Sequence, residues 1–336
     1  MSLRFGFVGF RHGHIYSLFR RIQETDGVVV VAACEEDAPA REEAIGKGVE
    51  MTHDRATDLI ENAACEVIAI GDYFARRGSL AIAALKAGKH VIVDKPLCTD
   101  LGELEEIESL SGAQGLKVGC MLTMRSSGPM NRLRNLIGEG AIGEVHAISF
   151  GGQHPLNLGS RADWYFEPGK HGGTITDIGV HAIDMIPWMT GLEFSVINAA
   201  RCWNAFAPEF PHFEDGGQMM LTMNNGCGVL GDVSYFMPNK GGYASPFYWR
   251  TTVFGRKGIL ETSTGAKAIT VAQDGIVEER PFSEVKTGGY FEGFLKDIRG
   301  EAEGEDLDTA QVIKVSRTVL RIQKAADEGA REVRLT

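Results

Sequence analysis

The sequence predicts an α/β protein in two parts, an N-terminal doubly wound parallel sheet and a C-terminal α/β domain on a mostly antiparallel sheet. Three observations predict it. Over residues 1–121 short apolar strands alternate with helical periods, the pattern of successive βαβ units. From Met121 onward the rhythm becomes strand-rich, with short glycine-bearing turns that favour antiparallel pairing. The chain has 336 residues, beyond the roughly 250 to 300 at which one core stays efficient. Two domains are therefore expected, 1–121 and 122–336.

Residues 4–8 form an apolar strand, followed by Gly9-Phe10-Arg11-His12-Gly13-His14 and a helix over 15–22 with apolar residues at 15, 18, 19 and 22. The next strand, 28–34, ends on Glu35, Glu36 and Asp37. A dinucleotide site needs these parts: glycines that let backbone approach a pyrophosphate, a helix amino end that attracts it, and an acid that accepts hydrogen bonds from the adenosine ribose. Against G-x-G-x-x-G the loop carries Arg11 and His14 at the second and third glycine positions, with Gly13 displaced by one. It reads either as a ligand cradle or as an ordinary strand-to-helix turn, and Arg11 either as a phosphate ligand or as a solvent-facing cation. Glu35 repels a 2'-phosphate and points to NAD; Arg11 and Arg41 keep NADP open.

A helix over 39–47 leads to Thr57-Asp58-Leu59-Ile60 and a buried strand over 66–70 that ends in Gly71-Asp72-Tyr73. A helix over 76–87, closed by Gly88, precedes the strand 90–93, which delivers Asp94, Lys95 and Pro96. Pro96 fixes its own φ and keeps Lys95 out of helical angles. Lys95 thus sits just past a strand's carboxyl end, where open α/β sheets bind ligands; alone, such a Lys-Pro pair also fits a solvated turn. Gly9, Glu35, Gly71 and Lys95 should share one sheet edge, with Lys95 facing the nicotinamide end of a dinucleotide. A helix from Asp100 (Leu101, Leu104, Ile107, Leu110) and a strand over 116–121 complete the first domain.

In the second domain a helix over 130–137 precedes strands at 145–151, 196–200, 218–223, 228–235, 250–254, 258–262 and 268–272, with Asn224-Asn225-Gly226 as one of the turns. One helical stretch interrupts them, His171-Gly172-Gly173-Thr174-Ile175-Thr176-Asp177-Ile178-Gly179-Val180-His181-Ala182-Ile183-Asp184-Met185-Ile186-Pro187-Trp188. Asp177 and His181 lie four apart on one helix face, Asp184 a turn further on, and Ile178, Ile183 and Ile186 on the other sides. A carboxylate beside an imidazole fixes its tautomer and raises its basicity, as a general base near neutral pH requires. A helix N-cap at Asp177 with a satisfied core histidine at 181 is the competing reading. Gly172 and Gly173 imply close approach of backbone to a ligand or another domain.

The net charge of -11 argues against a nucleic-acid partner, which needs a basic face. Hydrophobic and charged fractions of 43% and 24% are ordinary for a globular protein. Cysteines 34, 65, 98, 120, 202 and 227 are scattered with no C-x-x-C pair, so neither a metal site nor a disulfide framework is expected. No apolar run approaches the ~18 residues needed to cross a bilayer, and the first strand begins too early for a signal peptide. A cytoplasmic protein without membrane contact is expected.

Two motifs occur together, Gly88-Lys89-His90-Val91-Ile92-Val93-Asp94-Lys95-Pro96 and Gly172 through Asp184. The pair resembles the glucose-fructose oxidoreductase / inositol dehydrogenase (Gfo/Idh/MocA) family, in which they read A-G-K-H-V-x-x-E-K-P and G-G-x-x-x-D-x-G-x-H-x-x-D. The likeness extends to Arg125, Pro129, Ile142-Gly143-Glu144-Val145, and a closing helix over 309–328 before a final short strand. It implies a Rossmann domain followed by an open, mostly antiparallel sheet that builds oligomer contacts, as a homodimer or homotetramer. By the same resemblance Lys95, Asp177 and His181 match the catalytic lysine, aspartate and histidine. The expected cofactor-binding set is Gly9, Phe10, Arg11, His12, Gly13, His14, Glu35, Gly71, Asp72, Asp94, Lys95 and Pro96. Three departures stand out: Asp94 replaces glutamate, the loop lacks its middle glycine, and Gly71-Asp72 with Arg77 stands where members carry Thr-Pro and a histidine.

The expected activity is NAD-dependent oxidation of a secondary alcohol on a sugar, cyclitol or related polyol, or the reverse reduction, with NADP as the alternative cofactor. His181 would take the hydroxyl proton, Lys95 would stabilise charge on that oxygen, and Asp177 would orient substrate or histidine. Substrate hydroxyls would be held by loops 154–161 and 204–215, with Trp164, Tyr165 and Trp203 as stacking candidates or as plain packing. A glycoside hydrolase that oxidises its sugar transiently, and a non-catalytic dinucleotide or sugar-binding protein, are the rival readings.

Overall fold

The computed structural model describes residues 2–282 and 289–335. In chain order its elements are β1 (Leu3–Val8), α1 (Ile15–Gln23), β2 (Val28–Cys34), α2 (Ala38–Gly46), α3 (Ala56–Asn62), β3 (Val67–Ile70), α4 (Phe74–Lys86), β4 (His90–Val93), α5 (Leu101–Gln114) and β5 (Val118–Cys120). There follow α6 (Gly128–Gly138), β6 (Val145–Pro155), α7 (Val180–Thr190), β7 (Phe194–Trp203), β8 (Gly216–Met223), β9 (Gly228–Met237), β10 (Arg250–Gly255), β11 (Gly258–Thr262), β12 (Ala268–Gln273) and β13 (Ile276–Pro281). The chain closes with α8 (Gly289–Arg299), α9 (Thr309–Glu328) and β14 (Arg331–Arg334). Two compact units result: Met1–Met121 with Gly169–Gly172 and Tyr290–Arg317, and Leu122–Pro168 with Gly173–Gly289 and Thr318–Thr336.

The first unit holds a five-stranded sheet in the order β2-β1-β3-β4-β5, every neighbouring pair parallel. All four residues of β3 are fully buried, as expected of a parallel strand covered on both faces. The chain leaves β1 for β2 on one side and returns to β3 on the other, so the topological switch lies between β1 and β3. Asp100 caps α5 by accepting from Glu103 N at 3.0 Å, and Gly88 past α4 takes φ +74°, a left-handed angle that glycine adopts without penalty. The sequence expectation contains no α8. That helix sets Phe291 against Phe5 with the rings tilted, centroids 6.0 Å apart, and its Phe294 ring fills the space over Gly119, where a Cβ would meet it at 2.7 Å.

The second unit is built on a nine-stranded sheet, β13-β12-β11-β10-β6-β9-β8-β7-β14. It is antiparallel except between β6 and β9. Helix α6 packs on β11 and β12, and α7 on β6. The predicted Asn224-Asn225-Gly226 turn joins β8 to β9, with Gly226 at φ +86°. Strand β13 goes beyond the predicted set. Its residues Ile-Val-Glu-Glu-Arg-Pro are almost all exposed, so it lacks the alternation of a half-buried strand. It pairs with β12 through the two-residue turn Asp274-Gly275, Gln273 facing Ile276, both turn residues at positive φ. An Asp-Gly pair of that kind is the strongest local hairpin signal.

Candidate functional site

In the first unit the β-strand ends bring Gly9, Glu35, Gly71 and Asp94 to one edge. Gly9 N donates to Cys34 O, Arg11 N to Gly71 O, Gly71 N to Val8 O and Asp94 N to Ile70 O, each at 2.9 Å. Gly9 has φ +83°, and a Cβ there would lie 2.6 Å from Asp72 N, so close backbone packing requires glycine. Gly71 is required in the same way, since a Cβ would lie 2.6 Å from Ile15 Cγ1. Gly13 is different: a Cβ there would meet nothing within 4 Å, so the start of α1 faces open space.

Glu35 is engaged by the loop itself. Its carboxylate, 2% exposed, accepts from Phe10 N at 2.5 Å, Arg11 Nε at 3.1 Å and Asp37 N at 2.8 Å. Arg11 is accordingly neither a bare solvent cation nor an unencumbered phosphate ligand, for it also pairs with Asp37 at 3.5 Å. Glu35 organises the loop that the missing middle glycine would otherwise have shaped. Asp72 is buried and receives Arg76 at 2.9 Å and Tyr73 N at 2.7 Å.

Asp94 is fully buried and is the hub of this edge. His12 Nδ1 lies 2.6 Å from Oδ2, His14 Nδ1 3.3 Å from Oδ1, and the Arg77 guanidinium 3.2 Å from Oδ2. Burial pushes the Asp94 carboxyl up, but the neighbouring His12, Arg77 and His14 outweigh it and hold the group well below the usual carboxylate range. Arg77, also fully buried, donates further to Asp72 O at 2.8 Å, Asp94 O at 2.9 Å and Lys95 O. One guanidinium therefore ties the end of β3 to the turn that carries Lys95. Sequence reasoning marked Arg77 only as a departure from a pattern. The Lys95–Pro96 bond is cis. Lys95 is 3% exposed, with Nζ 5.7 Å from the centroid of the Phe74 ring. The same ring meets His12 at 5.5 Å and His171 at 5.3 Å; sequence reasoning missed Phe74 and His171 as members of this group.

Ligand atoms of His12, His14 and Asp94 lie within 4.8 Å of one another, donor types that suit a cation. The 2.6 Å His12–Asp94 contact is a hydrogen bond, too short for both atoms to be tetrahedral ligands at ~2.0 to 2.1 Å from one ion. Arg77 already supplies positive charge to that carboxylate.

Burial, only partly offset by Asp94, pulls the His12 imidazole from 6.5 down to about 4. At neutral pH it is uncharged, donating Nδ1–H to Asp94. Between about 4 and 6.5 the unfolded chain binds the extra proton, so stability rises with pH through this window and falls as acid is added. The expected contribution is about 3 kcal/mol across the window. His90 shifts in the same direction, so the comparison is between proteins: urea unfolding at pH 4.5 and 7 should show a shallower pH slope for His12→Gln than for the unaltered chain. Equal slopes would remove the assignment.

In the second unit the predicted helical stretch over 171–188 is not one regular α-helix. Ile175–Gly179 form a π-helical turn that runs into α7. Asp177 is therefore inside the turn and not its N-cap, and the α-helical spacing to His181 does not hold strictly. Asp177, 3% exposed, accepts a hydrogen bond from the Tyr235 hydroxyl, a partner sequence reasoning missed. Burial first and the Asp177 charge second push the Tyr235 phenol well above its ordinary value, so it remains a donor. His181, 4% exposed, packs its ring perpendicular to Trp249, centroids 5.8 Å apart. Trp249 is itself 1% exposed at φ +54°, a strained angle for a bulky side chain. Gly152 makes room for it; a Cβ there would lie 3.0 Å from the indole.

The close approach expected at Gly172 and Gly173 is to protein side chains. A Cβ at Gly172 would lie 2.2 Å from Thr99, within the first unit, and one at Gly173 2.3 Å from Gln323, within the second. Gln323 Oε1 accepts from Ile175 N at 3.1 Å and Thr176 N at 3.2 Å, capping the turn. Asp184 is a buried ion-pair partner: Arg125 donates from Nε at 3.0 Å and from the terminal nitrogen at 2.6 Å. In the loop over 204–215, buried Asp215 accepts from the backbone of Ala205, Phe206 and Ala207 at 2.9, 2.6 and 2.8 Å, which shapes the loop. Trp164 and Tyr165 are buried against each other at 4.2 Å, and Trp203 packs under Arg201 at 4.5 Å. Lys95 belongs to the first unit, and Asp177 and His181 to the second.

Residues 3–121 match the family described as an oxidoreductase family with an NAD-binding Rossmann fold, and residues 130–261 match the GFO/IDH/MocA C-terminal domain. Levoglucosan dehydrogenase of Pseudarthrobacter phenanthrenivorans is 29% identical over 180 residues, 52% of this chain and 45% of that protein. Trans-1,2-dihydrobenzene-1,2-diol dehydrogenase of Sus scrofa is 22% identical over 57% of each chain. The chain thus spans about half the length of the curated relatives it matches. Among solved structures, an inositol dehydrogenase homologue from Azotobacter vinelandii complexed with NAD+ superposes with TM-score 0.80 at 19% identity, covering 100% of this chain and 97% of that one. An aldose-aldose oxidoreductase from Caulobacter crescentus gives 0.79 at 19% identity, covering 100% of each. These structural likenesses bear on the fold. No helix among the described residues is long and apolar enough to cross a membrane.

Proposed function

Because the chain belongs to the GFO/IDH/MocA family of oxidoreductases, we propose that it is a dehydrogenase that uses NAD to interconvert a secondary alcohol and a ketone on a sugar, cyclitol or related polyol. The observation that carries the reading is Lys95: a buried lysine just past the carboxyl end of β4, on the same strand-end edge as the Gly9–His14 loop. The residues of that edge fit a dinucleotide. Open space over Gly13 at the amino end of α1 suits a phosphate, which exposed backbone N–H groups and the helix dipole attract. Gly9 through His14 would hold the diphosphate, with Glu35, Asp72 and the Asp94–Lys95–Pro96 turn around the rest.

A nicotinamide dinucleotide, when bound, supplies the hydride acceptor or donor. The chain's own residues do the rest. His181 accepts the hydroxyl proton in oxidation and returns it in reduction, and Lys95 donates a hydrogen bond to the oxygen on which negative charge develops. Asp177, pinned by Tyr235, is held in one orientation to position substrate or imidazole.

NAD is favoured over NADP. The buried Glu35 charge repels a 2'-phosphate, and the two arginines nearby are occupied, Arg11 by Glu35 and Asp37 and Arg41 by Asp54 at 2.9 Å and the carbonyls of Glu35 and His53 at 3.1 Å. A homo-oligomer is also proposed, on the support of Met220, Leu230, Phe254 and Ile259, strand residues that leave 36% to 58% of their surface exposed. The test of function is a panel of sugars, sugar acids and inositols with NAD and NADP, followed at the nicotinamide absorbance. NADH should form with at least one member and NADPH more slowly. Product without net NADH would transfer the assignment to a hydrolase, and no response on the panel would overturn it.

A further inference from the structure

Arg161 is a half-buried cation that the reading above does not use. Its guanidinium lies over two aromatic rings of the second unit, 4.6 Å from the Tyr165 centroid and 5.4 Å from that of Tyr235. Its side-on edge is engaged by main chain: Nε donates to Leu156 O at 2.8 Å and one terminal nitrogen to Pro155 O at 2.6 Å. Among the described residues no carboxylate forms an ion pair with it. Asp177 acts on it electrostatically but accepts its hydrogen bond from Tyr235.

A charge taken partly out of water without a counter-ion is costly, and such charges are normally paired. The two carbonyls and two rings hold the group rigid, so little entropy is lost when something binds it. What the main chain leaves over is the end-on edge of the guanidinium, two parallel N–H bonds on its terminal nitrogens. That fork matches a carboxylate, which takes two such bonds side by side. Tyr235 connects this cation to the candidate chemistry, one face under Arg161 and its hydroxyl on Asp177, four residues from His181.

We propose that Arg161 binds the carboxylate of the substrate, and that the site therefore takes a sugar acid or polyol acid rather than a neutral sugar. The inference rests on the oxidoreductase reading, but binding is measured apart from turnover. Calorimetric titrations of the full chain with NAD present would use D-gluconate and D-glucuronate, with D-glucose and myo-inositol as neutral probes and D-glucose 6-phosphate as the other anion. At least one acid should bind more tightly than its neutral counterpart. Arg161→Gln should weaken that binding about tenfold to a hundredfold, the loss of one charge-assisted contact, while neutral probes are unmoved. Arg161→Lys, which keeps charge and loses the fork, should fall between, and carries the comparison if the Gln variant melts early.

No binding of either acid, equal binding of neutral probes, or acid binding indifferent to both substitutions would overturn the proposal. Arg161 dependence confined to the phosphorylated sugar would overturn the carboxylate assignment. Arg161-dependent acid binding with no NADH formed would support the proposal and overturn the hydride-transfer reading instead.

Discussion

Lys95→Met should lower kcat by about a thousandfold on any substrate the chain oxidises, the size of effect seen when one charge-stabilising donor is removed from a reacting oxygen. Methionine keeps most of the aliphatic stem beside Phe74 and removes the ammonium, so the change is aimed at chemistry. The turn itself should persist. Arg77 grips the carbonyls of Asp94 and Lys95, and neither contact involves the lysine side chain. The thermal midpoint should therefore stay close to that of the unaltered protein. Steady-state kinetics with a melting curve decide the matter, and an unchanged kcat would remove Lys95 from the mechanism.

His181→Asn should cost about a hundredfold to ten-thousandfold in kcat/KM, the range for a lost general base. Its pH dependence is the sharper readout. A base must be unprotonated to accept the hydroxyl proton, so activity of the unaltered chain should fall on the acid side, and this limb should vanish in the variant. The ring is buried against Trp249, which makes asparagine preferable to alanine: it leaves a smaller cavity and retains polarity. A variant that keeps the acid limb would show that another group titrates. The pairing of results is informative, since loss at Lys95 without a change in the pH limb and loss at His181 with one separate the two roles.

Much of this architecture was legible before any coordinates. Strands β2, β4 and β11 begin and end where apolar periodicity places them, because their burial pattern is set locally, and helix α9 has the bounds that the family resemblance implies. Strand β13 was not, since exposed strands carry no alternation, although Asp274-Gly275 was a signal in plain view. Helix α8 offered a weaker one: Phe291, Phe294 and Leu295 recur at helical spacing and are buried. The π turn around Asp177 had no such signal, for nothing in the composition of Ile-Thr-Asp-Ile-Gly distinguishes one extra residue per turn.

The alternating strands and helices, the lysine after β4 and the Asp177–His181 stretch were determined by sequence, because periodicity and chain punctuation act over a few residues. Tertiary structure alone decided what those residues touch. Glu35 is held by a loop 25 residues earlier, Asp94 by a histidine 82 residues earlier, and Asp177 by a tyrosine 58 residues later. Such partners depend on strand order and on which side chains burial leaves without water, so a buried carboxylate announces that it needs donors, and only the fold says which donors arrive.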